Sequence, residues 1–203
     1  MKESRLPFIR HFLKLREKPK WILKFILVIF IAICSALIST FAIDYDKMFE
    51  GLGISSEQQN QQIQIAKISS VIFGAIGSVV NIGITFLIVL IILKIMKSDT
   101  NAKSIFSGVL SYRLITGTIG VVVIAIQAIT GLSLNDYIIT SLNIFDKGND
   151  VLGVFDVKVL INAYIFGVLL YATGSLSKKS AFIWSLLYIV VVIALALLGL
   201  NFK

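Results

Sequence analysis

Few side chains in this sequence could do chemistry, because its only histidine is His11 and its only cysteine is Cys34. A hydrolytic metal site needs clustered histidine and acidic ligands, and a serine nucleophile needs a neighbouring base. His11 lies outside the long apolar segments, which contain neither paired carboxylates nor a glycine-rich loop ending in Gly-Lys-Ser/Thr. The sequence therefore predicts a protein that is not an enzyme and that holds no metal or cofactor.

Three amide side chains, Asn81, Gln127 and Asn162, lie deep in apolar segments. A polar group at that depth needs a partner and can mark a functional position. Two interpretations are open: the amides hydrogen-bond neighbouring helices, or they line a path for a small solute. No ionisable residue lies near the middle of a segment, which disfavours ion-coupled transport and favours interhelical hydrogen bonds.

A second pattern is the regular spacing of small residues in the second apolar segment. Ser70, Gly74 and Ser78 recur at every fourth position, with Gly77 and Asn81 on an adjoining ridge. This spacing lets helix backbones approach closely inside a membrane. It predicts a helix-packing surface, either within the chain's own bundle or between molecules, including a homo-oligomer.

These side chains must be positioned by helices that cross a membrane. The chain of 203 residues is 57% hydrophobic, and its mean hydropathy is +0.93. Its long uncharged runs match a hydrocarbon core of about 30 Å at about 1.5 Å per helical residue. The predicted spans are 25–43, 68–93, 114–135, 159–177 and 181–200. The predicted fold class is an all-α membrane protein, with a five-helix bundle in residues 25–203 and a basic amphipathic segment in residues 1–24.

The basic N-terminal segment has helical periodicity. Between Leu6 and Leu15, apolar and basic residues take opposite sides, and Pro19 should end the helix. This pattern predicts a helix that lies on an anionic membrane leaflet. The alternative is a helix docked on the protein's own loops.

Two further amphipathic segments predict interfacial helices, one over Ala102–Tyr112 and one on the outer side over Ile138–Phe145. Arg113 then lies at the interface, because arginine at the centre of a span costs roughly 2.5–3.5 kcal/mol. The basic residues predicted to contact the membrane surface or a partner are Arg10, Lys14, Arg16, Lys18, Lys103 and Arg113.

The distribution of charge predicts the orientation. The net charge of +8 arises mainly from residues before the first span and between spans two and three and spans four and five. Cytoplasmic loops carry such an excess, so the N-terminus is predicted to be cytoplasmic and the C-terminus extracytoplasmic. Topology thus explains the charge without nucleic-acid binding. No Asn-x-Ser/Thr acceptor occurs, which favours a bacterial cell membrane.

Four short segments together resemble the bacterial branch of the Yip family, five-span membrane proteins named for Ypt/Rab-interacting proteins. They are Glu17–Trp21 before span one, Ser104–Arg113 before span three, Ser141–Phe145 on the outer side and Ser177–Lys179 before span five. The resemblance implies a non-enzymatic membrane organiser, and some bacterial members look like accessory subunits of ABC-type export complexes. The expected function is therefore an accessory or assembly subunit of such an exporter. The alternative is a small-solute channel or transporter.

The predicted topology can be tested with reporter fusions. Fusions after Met96 and Ser177 should report a cytoplasmic position, and fusions after Glu57, Lys147 and Lys203 an extracytoplasmic one. The charge excess sets this orientation. A cytoplasmic signal at Lys203 would contradict the five-span arrangement.

Overall fold

The structure, a computed structural model, describes residues 6–50, 53 and 55–200, and the regular elements in these residues are helices without a β-strand. The α-helices are α1 (Ile9–Glu17), α2 (Ile22–Ala42), α3 (Tyr45–Phe49), α4 (Ser56–Ile95), α5 (Ala102–Ile129), α6 (Asp150–Gly153), α7 (Val157–Val168) and α8 (Lys178–Leu200). A 3-10 helix, Leu142–Phe145, precedes α6, and a π-helical turn, Leu169–Thr173, continues α7. The predicted all-α class is confirmed.

Four helices, α2, α4, α5 and α8, are long and apolar enough to cross a membrane. The predicted span 159–177 corresponds to α7 with its π-turn, a shorter apolar helix over Val157–Thr173. At about 1.5 Å per residue this helix is about 25 Å long, slightly less than a hydrocarbon core of about 30 Å. Four of the five predicted spans therefore have a helix of full spanning length.

Helix α4 is much longer than the predicted span 68–93. It contains 40 residues, which corresponds to about 60 Å. A capping box starts it early: the Ser55 hydroxyl accepts from the Gln58 backbone N–H, and the Gln58 side chain accepts from the Ser55 backbone N–H. The helix therefore begins well before its apolar part.

The first twelve residues of α4 project beyond α2. Gly74 lies directly against Ala36, and the Lys67 ammonium lies 5.3 Å from the centre of the Tyr45 ring, just past the end of α2. Residues 56–67, the α4 extension, therefore continue for about 18 Å beyond that level. The short helix α3 packs against α4, and the Gln59 amide of the α4 extension donates to the Asp46 carboxylate of α3 at 3.2 Å.

The prediction of a separate interfacial helix over Ala102–Tyr112 is wrong. Helix α5 is continuous from Ala102 to Ile129, and the Asn101 side chain caps it by accepting from the Ser104 backbone N–H at 2.8 Å. Its first turns are largely buried against α1, α2 and the π-turn. Arg113 consequently lies inside a long helix rather than at its entrance. The helix also ends at Ile129, short of the predicted boundary at residue 135.

Helix α1 does not present its apolar face to lipid as predicted. Ile9, Phe12 and Leu15 are at most 6% exposed, because they pack against α5 and the π-turn after α7. The chain itself thus supplies the apolar surface for α1. Docking involves helices rather than the loops considered in the alternative prediction.

The predicted outer helix over Ile138–Phe145 is reduced to the 3-10 helix Leu142–Phe145. The buried Asn143 side chain accepts from the Ile138 backbone N–H at 2.8 Å and from the Ser141 hydroxyl at 2.7 Å. Such local side-chain bonds compete with the hydrogen bonds of a regular helix. They explain why helical spacing of apolar residues did not produce a longer helix here.

We expect Gly74→Leu to destabilise the bundle by roughly 1–3 kcal/mol, the usual cost of overpacking. A Cβ at Gly74 would lie 3.2 Å from the Ala36 Cβ. Gly83→Leu is the matched control, since a Cβ there has no neighbour within 4 Å. Thermal unfolding in mild detergent measures the difference, and equal melting temperatures for the two variants would contradict close packing at Gly74.

Candidate functional site

A polar cleft of about 450 Å³ lies between α2, α4 and α5. Most of its lining consists of small residues and hydroxyl groups, and one arginine contributes a charge. The lining includes Ala32, Ser35, Ala36 and Ser39 of α2, Ser70, Gly74, Gly77, Ser78 and Asn81 of α4, and Arg113, Thr116 and Gly117 of α5. All five residues predicted to form a helix-packing surface thus meet in this cleft, and Gly74 makes the close contact with α2.

Arg113 and Asn81 form the polar contact at one end of the cleft. The guanidinium donates to the Asn81 side-chain oxygen and, at 3.2 Å, to the Asn81 backbone carbonyl. The Nε of Arg113 is buried and has no hydrogen-bond partner among the described residues. Asn81 therefore satisfies the arginine only in part, and as a neutral group it does not balance the charge.

The cleft is closed beyond Arg113 by an apolar cluster. Val28, Ile82 and Leu110 are nearly inaccessible, and Phe25 and Phe106 pack beside them. From this cluster the polar lining runs toward the end of the bundle that holds α3, as far as Ser39 and Ser70. A second cavity of about 440 Å³, between α4, α5, α7 and α8, also borders Asn81 and Arg113, but most of the side chains that line it are apolar.

The other two predicted intramembrane amides lie elsewhere. Gln127 is 1% exposed and donates to the Tyr137 carbonyl at 2.6 Å, which ties the end of α5 to the following loop. Asn162 is half-buried in α7. The structure therefore does not bring Asn81, Gln127 and Asn162 together.

A second polar feature joins α1 to the bundle through hydroxyl groups. Fully buried Thr173 and Ser104 donate to the carbonyls of Phe12 and Arg16, at 3.0 and 2.8 Å. The Ser107 hydroxyl donates to the Lys20 carbonyl at 2.9 Å. The Arg16 and Lys20 carbonyls lie at or beyond the end of α1, and the Phe12 carbonyl faces the bundle. Their hydroxyl partners therefore fix the position of α1 along the bundle, which apolar packing alone would not do.

Because α1 docks on the bundle, the predicted basic residues lie in different environments. Arg16 donates to the Ser175 hydroxyl and forms an ion pair with Asp99 at 2.9 Å, so it links α1 to two turns of the bundle. Arg113 belongs to the cleft. Arg10, Lys14, Lys18 and Lys103 remain exposed at the α1 end of the bundle.

Two groups of polar residues were not predicted from the sequence. The hydroxyls of Ser35 and Ser39 share the cleft with the predicted residues of α4. Ser104 and Ser107 bind α1, and their helical spacing, shared with Ser111, could have indicated a buried polar face. The amphipathic pattern of that segment was instead assigned to lipid contact.

Among the described residues, no group of three or more histidine, cysteine, aspartate or glutamate side chains could hold a metal ion. Comparison of the chain with models of protein families, with characterised proteins and with solved structures gives no match. The class that the fold supports is thus an all-helical protein with four helices able to span a membrane.

We expect the docking of α1 to depend on pH through His11. Its Nε2 lies 3.1 Å from the Ser111 hydroxyl oxygen, and burial, together with the positive charges of Lys24 and Lys14, lowers the pKa of His11. Docked α1 thus favours neutral histidine. Undocked His11 takes up a proton as pH falls below its usual pKa, about 6.5, while docked His11 resists protonation until lower pH, so docking weakens on acidification.

We expect hydrogen exchange in α1, corrected for the intrinsic pH dependence, to be faster at pH 5.5 than at pH 7.5. Exchange in the middle of α8 serves as the internal reference. His11→Asn should remove the pH dependence, because asparagine keeps hydrogen-bonding groups but does not titrate in this range. An unchanged pH response in this variant would show that His11 is not responsible.

Proposed function

We propose that this chain is a non-enzymatic, five-span protein of the bacterial cell membrane that serves as an accessory or assembly subunit of a membrane export complex. The α1 end would face the cytoplasm and the α3 end the exterior, in agreement with the charge distribution. The resemblance of four segments to the bacterial Yip family, some members of which look like accessory subunits of ABC-type exporters, supports this assignment. In the five-span arrangement, α7 crosses as a short helix that packs against α5 and α8.

The α4 extension is the observation that carries this proposal. It is a regular helix that continues about 18 Å beyond the level where α2 ends. Its exposed positions include Asn60, Gln61 and Gln64, whose amides can donate and accept hydrogen bonds. The short loops on this side contain no independent domain in the described residues. A projecting helix with amide side chains suits contact with another protein outside the membrane.

The exposed lysines at the α1 end suit a different contact. Lys14, Lys18 and Lys103 lie on the surface that would face the anionic inner leaflet. Each basic residue near such a surface contributes about 1 kcal/mol of attraction, which salt weakens. We assign this face to lipid and the α4 extension to the partner protein.

Transport of a small solute is the alternative function. It requires a polar path across the bundle, whereas the cavity that continues from Asn81 and Arg113 between α4, α5, α7 and α8 is lined mostly by apolar side chains. Reconstituted vesicles test this alternative directly. Solute flux through the purified protein alone, lost on Asn81→Leu, would overturn the accessory-subunit proposal.

The two assigned surfaces can be separated by a pair of triple variants. Asn60→Ala/Gln61→Ala/Gln64→Ala should reduce recovery of export-complex subunits in a mild-detergent pull-down by about tenfold or more, as for loss of an interface centre. Its melting temperature should change little, since exposed substitutions usually alter stability by at most about 0.5 kcal/mol.

The second variant, Lys14→Gln/Lys18→Gln/Lys103→Gln, is the matched control. It should keep the partner and lose salt-sensitive enrichment of anionic phospholipid in the purified protein, measured by mass spectrometry. If the alanine variant recovers as much partner as the wild type, the α4 extension is not the docking surface. If the wild type recovers none, the proposed function itself fails.

A further inference from the structure

The guanidinium of Arg113 has no counter-charge within the described chain. The ion pairs there join Arg16 to Asp99 and lysines to Asp136 and Asp156, and none involves Arg113. Two contacts bracket the depth of Arg113: Leu110 packs on Val28, and a Cβ at Gly117 would meet Ile31. Counted from the start of α2, they place Arg113 between about 7 and 14 Å along the bundle, or roughly 10 Å. Charged groups at such depth pair with one another or with ions and polar groups, because leaving them unpaired in hydrocarbon is costly.

The cleft is open on one side for an occupant. Gly77 and Asn81 are exposed along its edge, and a Cβ at Gly77 would meet no atom within 4 Å. Between Ser70 and Asn81 the cleft is about 16 Å long, and a helix of that length and about 10 Å diameter occupies roughly 1,200 Å³. A cleft of about 450 Å³ can therefore accommodate one row of side chains from a helix, but not the whole helix.

The occupant must bring the missing negative charge at the depth of Arg113. A second copy of this chain cannot supply it from its spans, because 22–42, 68–95, 102–129, 157–173 and 178–200 contain no aspartate or glutamate. The phosphate of a bilayer lipid lies at the interface rather than about 10 Å further in. A different chain can place a carboxylate at this depth on a transmembrane helix.

We infer that the cleft between α2, α4 and α5 docks a transmembrane helix of another protein, whose aspartate or glutamate pairs with Arg113. The small residues of α4 let the partner's backbone come close, and the guanidinium selects the carboxylate. This inference rests on the accessory-subunit function proposed above and identifies the membrane-embedded part of that interaction. The cleft and the α4 extension lie on the same helix, so one partner can engage both.

A designed span tests the chemistry without knowledge of the partner. The probe is a 23-residue Leu/Ala transmembrane peptide with one glutamate about 10 Å from its cytoplasmic end, and its control carries glutamine there. Energy transfer in vesicles between a donor at residue 203 and an acceptor on the peptide measures association. The glutamate peptide should bind the full-length protein about tenfold more tightly than the glutamine peptide, as expected for one intramembrane polar pair. Equal binding of both peptides overturns the inference.

Three variants locate the binding in the cleft. Arg113→Gln should abolish the preference for glutamate, and Arg113→Lys should keep most of it. Gly77→Leu should fill the cleft and block the peptide without changing the melting temperature, because a Cβ at Gly77 meets no neighbour. Gly83→Leu, equally open but outside the cleft lining, should bind normally. Blockage by both leucine variants, or by neither, contradicts docking in the cleft.

In cells, a photo-crosslinking residue at position 77, with one at position 83 as control, identifies the natural occupant. We expect position 77 to label an apolar segment that contains an aspartate or glutamate. A charge exchange then tests the pairing. Arg113→Glu alone should lose the crosslink, and Arg113→Glu combined with arginine in place of the partner's carboxylate should restore it. A partner that crosslinks only from position 83, or labelling of lipid or solute from position 77, overturns the inference but leaves the accessory function standing. If the pull-down recovers no partner at all, the proposed accessory function itself is contradicted.

Discussion

Polar groups within an apolar helical bundle must find partners inside the protein, and this constraint organises the structure. Thr173, Ser104 and Ser107 are buried, and each donates to a carbonyl of α1 or of the residues that follow it. Their hydroxyls would be unsatisfied without that segment, and the carbonyls of Arg16 and Lys20, at and beyond the end of α1, would each lose a donor without the hydroxyls. An unsatisfied buried group costs about 1–3 kcal/mol, more than a single hydrogen bond gains. Burial of the apolar face of α1 therefore depends on these hydrogen bonds, and the hydrogen bonds form only when α1 is docked.

The same constraint separates the two ends of the bundle. At the α1 end, buried hydroxyls and the Arg16–Asp99 pair close the packing between α1, α5 and the turns. In the cleft, Ser39, Ser70 and Thr116 donate to carbonyls of their own helices. Arg113 donates to Asn81, but its buried Nε has no hydrogen-bond partner among the described residues. The polar contacts of α1 are therefore satisfied within the chain, whereas the guanidinium of Arg113 is satisfied only in part.

The helical fold and most of the spans could be predicted because apolar run length is a local property. An uncharged run near 20 residues must satisfy its backbone polar groups internally, and only a helix does so within one segment. The helix boundaries were less predictable. Ser55 and Gln58 extend α4 far into polar sequence through a capping box, and the pattern before Leu114 was compatible with either a surface helix or a buried continuation of α5. Amphipathicity indicates that a helix has an apolar face but not which apolar medium covers it.

The sequence by itself determined the all-α class and four helices of spanning length, because both depend on composition and on the length of apolar runs. Only the tertiary structure decided that α1 is buried on its own chain and that Arg113 meets Asn81, residues 32 positions apart. It also decided that serines from α2 join the α4 ridge in one cleft, while Gln127 and Asn162 lie elsewhere. These outcomes depend on which helices become neighbours and at what height. Helix neighbours follow from packing and polar satisfaction summed over the whole bundle, which no single segment encodes.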